Sequence, residues 1–109
     1  MKWQALGQEF QKLRMEFRGS MPAKLARLRS LWTRVCEQPD PDALEILKRE
    51  LHTMAGTAGS FGLPQVSAAA ASAEASLDHV ENGAVPNADL SKRIAVLLQE
   101  LEKAGLPPR

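Results

Sequence analysis

No tyrosine occurs in this chain, cysteine occurs once, and aromatic residues of all kinds make up only 5% of it. With so few aromatics, a stacking platform for single-stranded nucleic acid has no material. A lone Cys36 excludes an internal disulfide and a thiolate metal cage. One unpaired thiol suits a reducing compartment, so a cytoplasmic protein is expected. No apolar run approaches the roughly 20 residues of a spanning helix, and the polar N-terminus is unlike a signal peptide. Membrane insertion is therefore not expected. Charge of one sign is missing as well: 14 Lys and Arg against 13 Asp and Glu leave +1. That balance gives no pull toward nucleic acid or anionic lipid. The cations that gather in the first half, Lys12, Arg14, Arg18, Lys24, Arg27, Arg29 and Arg34, read as a solvated helix face rather than a specific polyanion site. Strand signals are absent too, since nothing alternates and Val, Ile and Thr are sparse.

What is present is helical. A chain of 109 residues with 44% apolar and 25% charged content fits one globular domain spanning 1–109. Apolar residues recur every three or four positions, the mark of amphipathic helices. The spacing predicts five of them, at roughly 4–18, 21–37, 41–60, 64–82 and 88–104. The first carries Leu6, Phe10, Leu13 and Phe17 and stops near Gly19-Ser20. The second carries Leu25, Leu28, Trp32 and Val35, with Ser20 as N-cap and Pro22 in its first turn. Asp40 and Pro41 open the third, whose stripe is Leu44, Leu47, Leu51, Met54 and Ala58. Pro64 opens the fourth, with Val66, Ala70, Ala73, Leu77 and Val80, and Asn82-Gly83 ends it. Asn87 caps the fifth, with Leu90, Ile94, Leu97 and Leu101. Short connections favour an antiparallel up-down four-helix bundle, with the additional N-terminal helix capping one end. The class is all-α.

The chemistry available is narrow. The two histidines, His52 and His79, have no carboxylates at metal-ligand spacing, and HExxH is missing, so a zinc hydrolase is unsupported. No metal site and no cofactor are expected. The glycine-rich run from Gly56 to Gly62 lacks the Gly-Lys-Ser/Thr ending of a phosphate loop and follows no strand. His79, near a helix end, reads as a surface or capping histidine. His52 differs by its place on its helix. Leu51 and Met54 lie on the apolar stripe, so His52 projects about 100° from Leu51, at the edge of that stripe or outside it. Its neighbours at three and four residues are Lys48 and Arg49 on one side, Ala55 and Gly56 on the other, with Gly59 a turn further. Small residues there serve either close helix packing or clearance for a visiting protein. The residues alone leave both readings open, although glycine inside a helix costs about 1 kcal/mol relative to Ala.

The stretch from Leu51 to Leu63 resembles the phosphoacceptor segment of histidine-containing phosphotransfer domains. That pattern runs roughly His-x-Leu-Lys-Gly-Ser/Ala-x-x-x-x-Gly, followed by a helix of small residues that often carries a Leu-Glu pair. His52, Met54, Gly56, Thr57 and Gly62 fall on those positions, and Ala73-Glu74 takes roughly the place of the pair. The resemblance implies a phosphoryl carrier without kinase activity of its own. It implies that His52 is the phosphoacceptor and that receiver domains, which bring the Mg²⁺, are the partners. Ala55, Gly56 and Gly59 would then lie under the docking partner. One departure stands out: the family's Lys three residues after the histidine is Ala55 here. Lys48, and secondly Arg49, are the candidates to offset the phosphoryl charge of about −1.5 to −2. Thr53, Thr57 and Glu74 are weaker candidates to orient the ring. Two other readings stay open: a helical adaptor that docks a receiver without carrying phosphate, and a kinase dimerisation module. The second lacks the acidic residue after the histidine, where Thr53 stands. A monomer is expected.

Overall fold

The computed structural model describes residues 2–80 and 86–105. The expected stop at Asn82-Gly83 and the tail 106–109 lie outside the described residues, as do the side chains of Leu6 and Leu90. Four helices, and among the described residues no strand, make up the fold: α1 (Lys2–Glu37), α2 (Pro41–Ser60), α3 (Pro64–Leu77) and α4 (Ala88–Gly105). Helix α1 packs on α2 and α4, and α3 packs between those same two, which closes the bundle. The all-α reading holds.

The separate N-terminal helix does not. Its expected end at Gly19-Ser20 is absent, and α1 runs unbroken for 36 residues with Pro22 inside it. A proline there leaves the Arg18 carbonyl without its helical donor, at a cost of about 3 kcal/mol in a free helix. The core explains why the helix persists. Phe17, Met21, Leu25 and Leu28 are all buried, and their spacing of four, four and three keeps one apolar stripe in phase across the proline. Burying each such side chain contributes about 1.5–3 kcal/mol, so the packed register outweighs the local break. Ser20, expected as an N-cap, instead donates its hydroxyl to the Phe17 carbonyl at 2.6 Å.

The first half of α1 consequently reaches beyond the bundle rather than folding over its end. The molecule measures 54 Å along its longest axis, the length of a 36-residue helix. Phe10 and Leu13, expected in a buried stripe, are 41% and 48% exposed. What α1 does cover is Phe61, whose ring lies 5.7 Å from both the Phe10 and the Phe17 rings.

The two ends of α2 are locally encoded. Asp40 accepts from the Ala43 amide at 3.0 Å, with Pro41 in the first turn. At the other end Gly62 adopts φ +69°, Leu63 N–H bonds the Ala58 carbonyl and Gly62 N–H bonds that of Gly59. This is the closure in which a glycine takes the left-handed conformation just past a helix. Helix α3 ends at Leu77, sooner than the pattern suggests. Asp78, His79 and Val80 continue as a tighter turn, each amide bonding the carbonyl three residues back. In the core Leu98 rather than Leu97 is fully buried on α4, and Leu31 is more deeply buried on α1 than Trp32.

Candidate functional site

His52 sits past the middle of α2, between Leu51 and Met54, which are both buried. Those neighbours point inward, so the imidazole points out, with 77% of its side chain exposed. Its Nδ1 lies 3.1 Å from Oε1 of Glu74 on α3, a carboxylate that is itself 28% exposed. A carboxylate only accepts hydrogen bonds, so in the neutral ring Nδ1 carries the proton and Nε2 holds the lone pair. One turn back on α2, Lys48 Nζ lies 2.8 Å from Oδ1 of Asp78. The two contacts are rungs of one ladder. Lys48 and His52 are four apart on α2, Glu74 and Asp78 are four apart where the chain runs the other way, and antiparallel packing pairs them in reverse order. The hydrogen bond that Lys48 donates to Asp78, with the fields of Asp78, Glu45 and Glu74, raises the Lys48 pKa above its ordinary value against a smaller desolvation effect. Lys48 therefore stays cationic beside the ring.

The remaining expected site residues separate. Arg49 is exposed on α2. Ala55 is half-buried against the core, and its carbonyl accepts from the Ser67 hydroxyl at 2.8 Å. Gly56 is exposed, and a Cβ placed on it would meet nothing within 4 Å. Gly59 differs, since its Cβ would lie 3.4 Å from Ser67 Oγ, where α2 and α3 close together. Gly59 is nonetheless exposed, and 3.4 Å is an ordinary van der Waals contact, so helix packing requires glycine at neither position. Thr53 is exposed, Thr57 half-buried, and neither hydroxyl hydrogen-bonds the ring. Asp78 was not singled out from sequence. The signal for it is the acidic pair at spacing four, Glu74 on α3 and Asp78 just past its end, facing the basic pair at spacing four on α2. Among the described residues no group of His, Cys, Asp and Glu is placed to hold a metal ion.

An exposed imidazole on a mid-bundle helix, with its Nδ1 held and open ground one turn along, is the setting of a transferable group. The family model for the Hpt domain matches residues 12–104. The chain belongs to the Hpt domain family. Members of this family have a histidine phosphotransfer role in phosphorelays and act as phosphocarriers rather than kinases. The family also implies interaction with receiver domains. No curated protein and no solved structure matches the chain significantly. Among the described residues no helix of this Hpt domain is long and apolar enough to cross a membrane.

Proposed function

We propose that this Hpt domain accepts a phosphoryl group on His52 from the aspartyl phosphate of one receiver domain and passes it to the aspartate of another. The observation that carries the proposal is the ring itself: outward-facing, and held at Nδ1 by Glu74 so that Nε2 is the nucleophile. In the step, the Nε2 lone pair attacks phosphorus in line with the bond to the aspartate oxygen. The N–P bond forms, the O–P bond breaks, and the aspartate departs as a carboxylate. The ring becomes a phosphorylated imidazolium that keeps its Nδ1 proton, and the Glu74 carboxylate stabilises the positive charge as it develops. Passing the group on reverses these events. The receiver brings the Mg²⁺, so the work left to this chain is positioning and charge balance. Lys48 supplies the cation that offsets the phosphoryl group, and Arg49 adds a second charge on the same face. Gly56 leaves room for the receiver's loops over the ring, with Ala55 and Gly59 beneath the contact. The domain acts as a monomer in the cytoplasm, with no kinase activity of its own.

The test is to incubate the domain with a phosphorylated receiver and to look for acid-labile, base-stable phosphate on the domain. Label is expected on the unmodified chain and absent from His52→Gln. Label that persists in His52→Gln overturns the assignment of the residue. Receivers that bind tightly yet transfer nothing would leave a docking adaptor, the reading that Ala55 in place of the family's lysine favours.

A further inference from the structure

Helix α1 outruns the helices it packs on. Cys36 meets Ser91 near the start of α4, and Arg29 pairs with Glu102 near its end, so α1 and α4 run antiparallel. Three residues past Glu102 helix α4 is over, about level with Ala26 of α1. On its other side α2 reaches further, to Phe61, which closes over Phe10 and Phe17. The first four or so turns of α1 therefore lie beyond the end of α4. Phe10 and Leu13 remain exposed there.

The exposed stripe has the spacing of a helix that pairs. In sequence Trp3, Leu6, Phe10, Leu13 and Phe17 follow one another at three, four, three and four residues, the repeat of a two-helix seam. Where α1 enters the bundle the steps become four, four and three, from Phe17 through Met21 and Leu25 to Leu28. Charges of opposite sign border the seam. At about 100° per residue, Arg14 and Arg18 lie along one flank of Phe10, Leu13 and Phe17, and Glu9 and Glu16 lie along the other. The two glutamates are exposed and the two arginines half-buried. Among the described residues none of the four takes part in an ion pair.

We propose that this part of α1 docks an amphipathic helix of a different protein. The apolar ridge of that helix carries acidic residues on the edge that meets Arg14 and Arg18, and basic residues on the edge that meets Glu9 and Glu16. The flanks choose the occupant, as charges beside a helix seam set partner and orientation. A second copy of this chain fits in neither direction. Laid parallel, its bundle would claim the space of the first, because the seam runs straight into the buried stripe at Phe17 and Met21. Turned end for end, it sets each flank against its own counterpart, glutamate facing glutamate. A helix without a bundle on its seam, and with unlike flanks to offer, escapes both conflicts. The surface is also separate from the imidazole. Phe61, its part nearest to α2, comes nine residues after His52, about 13 Å along the helix. The proposal therefore stands whether or not that ring carries a phosphoryl group.

The experiment titrates the ¹⁵N-labelled full chain with a synthetic helical peptide of three heptads, with leucine along its ridge, glutamate on one edge and lysine on the other. Such a peptide is free to dock in whichever direction matches its edges to the flanks. A control peptide keeps the leucine ridge and has lysine on both edges. Saturable shifts are expected at the amides of Phe10, Leu13 and Phe61, with the control binding about tenfold more weakly. Leu13→Gln is expected to weaken binding about tenfold through the lost apolar area, and circular dichroism checks that the variant stays helical. Equal affinity for the two peptides overturns the proposal, and so does the absence of saturable shifts. Both results are read on the unmodified chain, whether or not Leu13→Gln folds. Shifts centred on His52 and Lys48 overturn it as well. Sedimentation of the chain alone is expected to show a monomer, and a dimer that Leu13→Gln dissolves would make a second copy the occupant instead.

Discussion

The chemistry of His52 depends on one hydrogen bond and one ion pair made across helices. Glu74 holds the Nδ1 proton, so Glu74→Ala is expected to let the neutral ring sample the other tautomer, with a proton on Nε2. The ¹⁵N shifts of the ring report this directly, and transfer from a receiver is expected to slow about tenfold, the worth of one charge-assisted hydrogen bond. Lys48 presents the second question, because Asp78 already engages the ammonium proposed to offset the phosphoryl group. Removing that competitor in Asp78→Asn is expected to lengthen the lifetime of phosphohistidine, and Lys48→Ala to shorten it. A change in the same direction for both variants would count against Lys48 as the offsetting charge. Asp40 carries a pH dependence of another kind. The Ala43 amide, and then Arg34, hold its pKa below the ordinary carboxylate value despite some desolvation. A lowered folded pKa means that its contribution to stability is present above the unfolded value near 4 and is lost as pH falls through the folded one. Asp40→Ala is expected to lower Tm at neutral pH by about 5 °C and to have little effect once the carboxyl is protonated.

The glycines of α2 do different work at the scale of the element. Gly56 sits in open space inside a helix, so Gly56→Ala is expected to stabilise by about 1 kcal/mol and to raise Tm by about 4–8 °C. A bulky Gly56→Gln is expected to leave the fold intact and to reduce transfer from a receiver, which separates the clearance role from the packing role. Gly62 is the opposite case. Its φ of +69° strains any residue with a Cβ, and Gly62→Ala is expected to destabilise by about 1 kcal/mol without touching the ring. In α1 the element is continuous only because the core holds it so. Pro22→Ala restores a donor to the Arg18 carbonyl and is expected to stabilise by about 2 kcal/mol in denaturant unfolding. Had α1 been two helices meeting at Ser20, the same change would remove a favourable first-turn proline and destabilise instead.

Over the whole molecule, a bundle with one overlong helix is less compact than its chain length requires. The radius of gyration is 15.4 Å, where a compact domain of this size has about 13 Å. Solution scattering from a monomer is expected near the larger value. A two-fold dimer would exceed it and would favour the kinase-like reading of the bundle. Ion pairs from Arg27 to Glu50, Arg29 to Glu102 and Lys48 to Asp78 tie distant parts of the chain together. All are at the surface, so raising the salt concentration is expected to change stability little. The core carries the fold.

Most of the architecture was legible because it is written locally. The helical class, both ends of α2 and the outward direction of His52 follow from spacing, caps and the inward pull of Leu51 and Met54. A period of 3.6 residues is a property of neighbours in sequence, and sequence alone determined these. The tertiary structure decided the rest: that α1 passes through Pro22, that Gly56 faces open space, and that Asp78 holds Lys48. Each of these depends on the antiparallel register of helices whose paired residues lie far apart in the chain. That register is set by how the side chains of all four stripes fill one core, and no single stretch of sequence contains it.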